Sequence, residues 1–340
     1  MLDFSSFYGS FSNKYHIVCL ICLVCIPTAV EAKWYKDSQS HMGTLIAVEF
    51  WYEGESSKAE KCGNDVFNEM RRIDTSLSPY KPDSELSAVN RSASSKAVKV
   101  SRELFSLLEK SLNMSRLSQG AFDITFASIG FKYNYRNSKK PSEKEIASLL
   151  PAINYRNIVL DLDTRTVFFS HPNVKIDLGG IAKGYAVDNG IDILKNCGVK
   201  SGLVSAGGDS RVIGDRLGRP WMIGIKHPRK EKGVVTALPM VDSAFSTSGD
   251  YERYFVENGV RYHHIINPKS GKSVKSTMSV TIIGDDAVTT DALSTTIFVM
   301  GASKGLLLIE KLADIDAVII DTHGKMHYSS GLEPATSTTH

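Results

Sequence analysis

The sequence predicts a fold of mixed helices and antiparallel strand pairs, and three stretches carry that expectation. Residues 56–77 place Ala59, Cys62, Val66, Phe67, Met70 and Ile73 on one face at helical spacing. Residues 157–170, NIVLDLDTRTVFFS, alternate apolar and polar on both sides of Asp163-Thr164, as a hairpin does. Residues 174–214 read strand, glycine turn, helix, strand, glycine turn, and the rest of the chain is organised around them.

Taken in order, Met42-Gly43-Thr44 opens a strand over 45–52, followed by the helix at 56–77. SLSPYKPDSELSAVN, residues 76–90, is a turn-rich loop. Pro79 and Pro82 prevent regular structure there, and Ser84 starts a short capped helix ending at Asn90. A helix over 101–117 stops at Gly120. In the GAFDIT segment that follows, Asp123 and Thr125 either belong to a site or cap the next turn. Ser142 and Glu145 have capping-box spacing.

In the central stretch Asp177 closes an apolar run, and Gly179-Gly180 permit a tight turn or a close backbone approach. The next helix carries Lys183 in its first turn and turns Ala182, Tyr185, Ala186, Ile193, Leu194 and Cys197 toward a core, stopping at Gly198. A helix N-terminus has free N–H groups and positive dipole character that suit an anion, and Lys183 adds a full charge. The same stretch also reads as a plain sheet-to-helix turn with a solvated lysine. Residues 202–206 form a short buried strand ended by Gly207-Gly208-Asp209. Beyond it come a strand at 221–229, a strand pair over 234–247, and a hairpin of 251–255 and 261–266 around Asn258-Gly259. A strand at 279–284, helices at 287–300 and 306–312, a strand at 316–321 and a closing turn and strand complete the chain.

A 340-residue chain with 42% hydrophobic residues can bury a sizeable core. A net charge of +3, with no basic run interleaved with aromatics, does not imply a nucleic-acid partner. Lys14 precedes HIVCLICLVCIPTAV, an apolar run too short to span a bilayer comfortably. Val30 and Ala32 fit a small-residue cleavage site, so residues 1–32 read as a signal peptide and 33–340 as the exported domain. The alternative is an uncleaved anchor. A lipoprotein would use Cys22 or Cys25, but Ile21 and Val24 precede them where a small residue belongs. Cys19, Cys22 and Cys25 act in this segment as small hydrophobes. Cys62 and Cys197 sit on helical faces and are expected as buried free thiols.

Asp291 and Thr295 lie four apart and share a helix face. A carboxylate and a hydroxyl are hard oxygen ligands of the kind Mg²⁺ takes alongside waters and phosphates, although such pairs are also common in purely structural roles. His263 and His264 lie in a strand, and alternation turns one of them inward. A histidine there could take a proton from a hydroxyl nucleophile. GxxxxGK[ST], GxGxxG and GxSxG are all absent, so no standard phosphate loop or hydrolase elbow is present.

Eight blocks occur in order: MGT at 42–44, SLSPYKPDSELSAVN at 76–90, GAFDIT at 120–125, DLGGIAKGYAVD at 177–188, SAGGDSRVIG at 205–214, STSGDYERYF at 246–255, RYHHIINPKSG at 261–271 and DALSTTIFVMG at 291–301. Together they resemble the ApbE family, the FAD:protein FMN transferases. The resemblance implies an α+β fold of antiparallel sheets flanked by helices, T-fold-like, with two subdomains around an FAD cleft. It implies Mg²⁺-dependent transfer of FMN from FAD to a Thr or Ser hydroxyl of an acceptor protein, with AMP leaving. Acceptors in the family are flavin-carrying subunits of membrane redox complexes and related exported flavoproteins. By position, Asp291, Thr295 and the carbonyl of Gly180 are implied as Mg²⁺ ligands, with Asp291 and His264 as catalytic groups. Met42, Tyr80, Ala121, Phe122, Asp123, Asp177, Lys183 and Ile265 are implied as FAD contacts.

Three segments depart from the family pattern. NPKSGKSV has Asn267 and Ser270 where relatives often have Asp and Thr. GAFDIT lacks a proline common at position 124, and FKYNYRNSKK is unlike the usual loop. Two other functions fit the same residues: an FAD pyrophosphatase, in which water replaces the acceptor, and a non-catalytic exported flavin-binding protein.

Overall fold

The computed structural model describes residues 32–230 and 233–332. The expected signal segment lies outside the described residues, apart from Ala32. An eight-stranded sheet forms the centre of the molecule. Its strands are β1 (Ala32–His41), β2 (Thr44–Glu53), β3 (Gly202–Ala206), β4 (Asp209–Ile213), β5 (Ala244–Gly249), β6 (Thr277–Gly284), β7 (Asp316–Asp321) and β8 (Met326–Tyr328). They lie side by side in chain order, and every neighbouring pair is antiparallel. The α+β expectation holds.

Among the helices that flank the sheet are α1 (Ser56–Leu77), α2 (Arg102–Leu117), α3 (Ala182–Asn196), α4 (Ala287–Met300) and α5 (Ala302–Ile309). Ile46, Val48 and Phe50, at alternate positions of β2, share the main core with Val66, Phe67 and Met70 of α1 and with Ala186, Val187 and Ile191 of α3. The opposite face of the sheet is covered by a hairpin of 221–226 and 234–240, where Trp221 and Met240 pack with Val212.

Helix ends follow local chemistry. Ser84 and Ser101 accept the N–H groups of Ser87 and Leu104, and Ser142 with Glu145 makes the full capping box. The hairpin at 158–161 and 166–169 forms in the expected register.

Several expectations need correction. β1 is an added strand. Met42 and Gly43 both have positive φ, 53° and 72°, and make the two-residue turn that folds β1 onto β2. Residues 174–178 are not a strand. They are a buried connection whose main chain is held by Asn90, which accepts the Ile176 N–H and donates to its carbonyl, both at 2.8 Å. Strands 234–240 and β5 do not pair with each other: the first pairs with 221–226, and the second enters the main sheet. The second hairpin is shorter than expected, 254–257 with 260–263, so His264 lies just past its end. On α3, Tyr185 and Ile193 pack half-buried against the core as expected, and Gly184, Val187, Gly190 and Ile191 join them at fully buried positions. Finally, Cys62 and Cys197 form a disulfide across 135 residues and are not free thiols. The physical reason is tertiary: α1 lies along α3, so a buried cysteine of one helix meets the residue capping the other.

Candidate active site

The site forms where α3 begins against α4. Gly184 makes this approach possible. A Cβ built on it would lie 2.1 Å from the Ala287 carbonyl oxygen and 2.8 Å from Asp291 Cβ. The two helices are also tied electrostatically. Asp188 accepts the N–H groups of Ala287 and Val288 in the first turn of α4, both at 2.9 Å, and pairs with Arg211 at 2.7 Å. Gly184→Ala must therefore part the helices. It is expected to cost at least about 2 kcal/mol, read as a lower melting temperature, and an unchanged melting curve would contradict this packing.

At the crossing Asp291 is buried, and its Oδ2 accepts the Gly184 N–H at 2.9 Å. Lys183 Nζ pairs with Asp209 Oδ2 and stands 3.7 Å from Asp291 Oδ1. Two carboxylates against one ammonium leave a surplus negative charge in a dry place. Burial, then repulsion from Asp209, raise the Asp291 carboxyl above the usual carboxylate range, against the pull of Lys183. Burial works against the Lys183 charge, but Asp209 and then Asp291 outweigh it and hold the ammonium above its ordinary value.

One turn further along α4, Thr295 Oγ1 lies beside Gly180. A Cβ on that glycine would be 3.2 Å from Thr295 Oγ1 and 3.3 Å from Phe122 Cε2. Ser248 adds a hydroxyl, 2.8 Å from Ser294 Oγ and 3.4 Å from Thr295 Oγ1. Among the described residues no three His, Cys, Asp or Glu side chains gather as a metal cage. The surplus charge with one carboxylate, clustered hydroxyls and nearby main chain is instead the donor chemistry of a Mg²⁺ that also uses substrate phosphates and water.

The expected flavin contacts fall into two groups. Tyr80 stands 71% exposed, edge-on to Phe131, with its hydroxyl 3.5 Å from Asp177 Oδ2. Burial of its hydroxyl end and the Asp177 charge push it up to about 12. Its ring is free for an aromatic ligand to stack on. Burial likewise raises Asp177, whose Oδ1 accepts the Gly179 N–H at 2.7 Å. Phe122 packs on Gly180, with Ala121 half-buried before it. Met42 is half-buried in its turn, near the β3–β4 turn, where a Cβ on Gly207 would lie 2.6 Å from Thr44 Oγ1. Asp123 and Ile265 are used inside the fold. Asp123 accepts from Thr125 N and Oγ1 and from Tyr155 N, capping a turn. Ile265 is buried in the core beside α4 and α5, and its carbonyl accepts the Val274 N–H.

The two histidines differ. His263 is buried with both ring nitrogens engaged: Nε2 donates to the Val274 carbonyl at 2.7 Å and Nδ1 accepts the Ile265 N–H at 3.3 Å. His264 Nδ1 is buried with no partner among the described residues. Burial, with the nearby Arg253 charge, pushes His264 down to about 3, so it is neutral. Sequence reasoning did not single out Asp209, Asp188 or Arg253. The first follows a glycine pair, and the other two lie inside blocks with no spacing signal of their own.

A sequence profile of the ApbE family matches residues 42–319. The chain is 30% identical to the FAD:protein FMN transferase of Haemophilus influenzae, over 83% of this chain and 85% of that one. It is 29% identical to the FAD:protein FMN transferase of Treponema pallidum, over 93% and 92%. Among solved structures, the ApbE protein of Thermotoga maritima superposes with a TM-score of 0.81 at 34% identity, covering 88% of this chain and 98% of that one. The flavin transferase ApbE of Vibrio cholerae superposes with a TM-score of 0.78 at 27% identity, with the same coverage.

Proposed function

The chain belongs to the ApbE family of flavin transferases, and we propose that it moves FMN from FAD to a Thr or Ser hydroxyl of an acceptor flavoprotein in a Mg²⁺-dependent reaction. The bond between the acceptor oxygen and the FMN phosphorus forms, the diphosphate bond breaks, and AMP leaves. The observation that carries this reading is the Asp209–Lys183–Asp291 group, with its surplus negative charge, one turn of α4 from Thr295; His264 keeps an unpartnered Nδ1.

Asp291 and Thr295, with the main chain at Gly180, would hold the cation. When bound it draws negative charge from the diphosphate, which is most of what phosphoryl transfer requires. Lys183, fixed by two carboxylates, presents a permanent charge at the same place. Tyr80 offers a ring to stack on the flavin or adenine. His264 accepts the proton of the acceptor hydroxyl. In the free protein it is a weak base because of burial and the charges of Arg253 and Lys183. An anionic diphosphate placed among those cations would raise its basicity just when the hydroxyl is present.

Export supports the same picture. The Cys62–Cys197 disulfide suits an oxidising compartment, and residues 33–340 as a periplasmic domain would meet exported acceptors. An uncleaved signal would hold that domain on the inner membrane. The acceptors in this reading are flavin subunits of membrane redox complexes or related exported flavoproteins.

The test is to incubate the purified chain with FAD, Mg²⁺ and a candidate acceptor domain and to measure the acceptor's intact mass. A gain of one phosphoester-linked FMN, with AMP released and EDTA abolishing both, is expected. No gain with several acceptors would contradict transfer. Free FMN released at a rate indifferent to acceptor would make the chain a pyrophosphatase, and tight FAD binding without turnover would make it a carrier.

A further inference from the structure

Among the described residues, the cations around His264 include one, Arg253, that makes no ion pair. Arg253 lies between β5 and the 254–257 strand, and its carbonyl accepts the His264 N–H at 3.1 Å, which fixes it next to that histidine. Its neighbours are engaged elsewhere. Arg229 makes a two-pronged pair with Asp250 at 2.6 and 2.7 Å, and Arg261 stands 3.8 Å from Asp250 and lies over the Tyr254 ring. Lys183 is claimed by Asp209 and Asp291. Among the described residues the Arg253 guanidinium has no ion-pair partner, and the residue is exposed.

Its charge also bears on Tyr80, Tyr135, Asp177, Lys183 and His264. Its main-chain contact sets this exposed, unpaired arginine beside His264. An exposed guanidinium without an ion-pair partner is available to an anionic ligand.

We propose that Arg253, set beside His264, grips the substrate's phosphate oxygens together with Lys183, presenting the phosphorus to the acceptor hydroxyl held at His264. The inference rests on the flavin-transfer reading and adds a binding residue to it. A planar guanidinium can meet two phosphate oxygens at once, which fixes orientation as well as charge.

The test compares Arg253→Met and Arg253→Lys with the unaltered full chain, titrating FAD and riboflavin by flavin fluorescence. Riboflavin carries the ring but no phosphate. The methionine variant is expected to bind FAD about 10- to 100-fold more weakly with riboflavin affinity unchanged, and the lysine variant to recover most of the loss. Unchanged FAD affinity in Arg253→Met would overturn the proposal. So would an equal loss for riboflavin, because a local structural role predicts that. Failure of the unaltered chain to bind FAD at all would instead remove the flavin reading, and this inference with it.

Discussion

Asp291→Asn is expected to reduce flavin transfer by at least about 100-fold and to leave the protein folded. The amide keeps the side chain's volume, and its oxygen can still accept the Gly184 N–H, so the α3–α4 crossing survives. The charge is what disappears, and with it the surplus that would attract the cation. Stability should move the other way. Burial and Asp209 raise the Asp291 carboxyl to about 7, against the pull of Lys183. A group that holds its proton more tightly folded than unfolded adds stability at low pH and loses it as pH rises through the folded value. The unaltered protein without metal should therefore melt lower at pH 8 than at pH 5.5 on account of this group. The asparagine variant should lose that difference and the melting-temperature rise on adding Mg²⁺. Thermal melts at two pH values, with and without Mg²⁺, beside the transfer assay, check all of these. Undiminished transfer would remove Asp291 from the metal role.

The second large effect concerns the disulfide. Cys62 and Cys197 lie 135 residues apart in sequence, and tying so long a loop is worth about 5 kcal/mol on the chain-entropy account. The double variant Cys62→Ala with Cys197→Ala is expected to melt lower by about 10 °C, with residual transfer at low temperature because the bond lies away from the α3–α4 crossing. Thermal melting measures it, and a shift under a few degrees would mean that helix packing alone holds α1 to α3.

The same bond marks where sequence reasoning stops. The faces of α1 and α3 repeat at helical spacing, but nothing in the spacing says that one helix lies along the other, and only that contact joins the two cysteines. The helix over 56–77 is legible from its one-sided apolar spacing, and the helix over 287–300, buried on all sides, from its ends, where Asp286 accepts the Thr289 N–H and Gly301 stops it. β1 hid because it is an edge strand of mostly polar, part-exposed residues, KWYKDSQSH, with no apolar alternation to mark it. Residues 174–178 misled in the opposite way. They are apolar and buried like a strand, but their main chain is satisfied by the Asn90 side chain, which no local pattern reveals.

The site divides similarly. Asp291 and Thr295 share a helix face, and Gly180 was expected beside them; the fold brings Gly180 to Thr295. Asp209 joins them only because the β3–β4 hairpin aims its second strand at Lys183. Arg253 is one of three neighbouring arginines, and Asp250 selects the other two. That sorting is made in space, not in sequence.

The most direct measurement of the central claim is an anomalous-scattering map of crystals grown with FAD and Mn²⁺ in place of Mg²⁺. The account predicts one manganese peak bounded by Asp291, Thr295 and the main chain at Gly180, with the diphosphate between it and Lys183. A bound flavin with no metal at that position, or with its diphosphate away from Lys183, would contradict it.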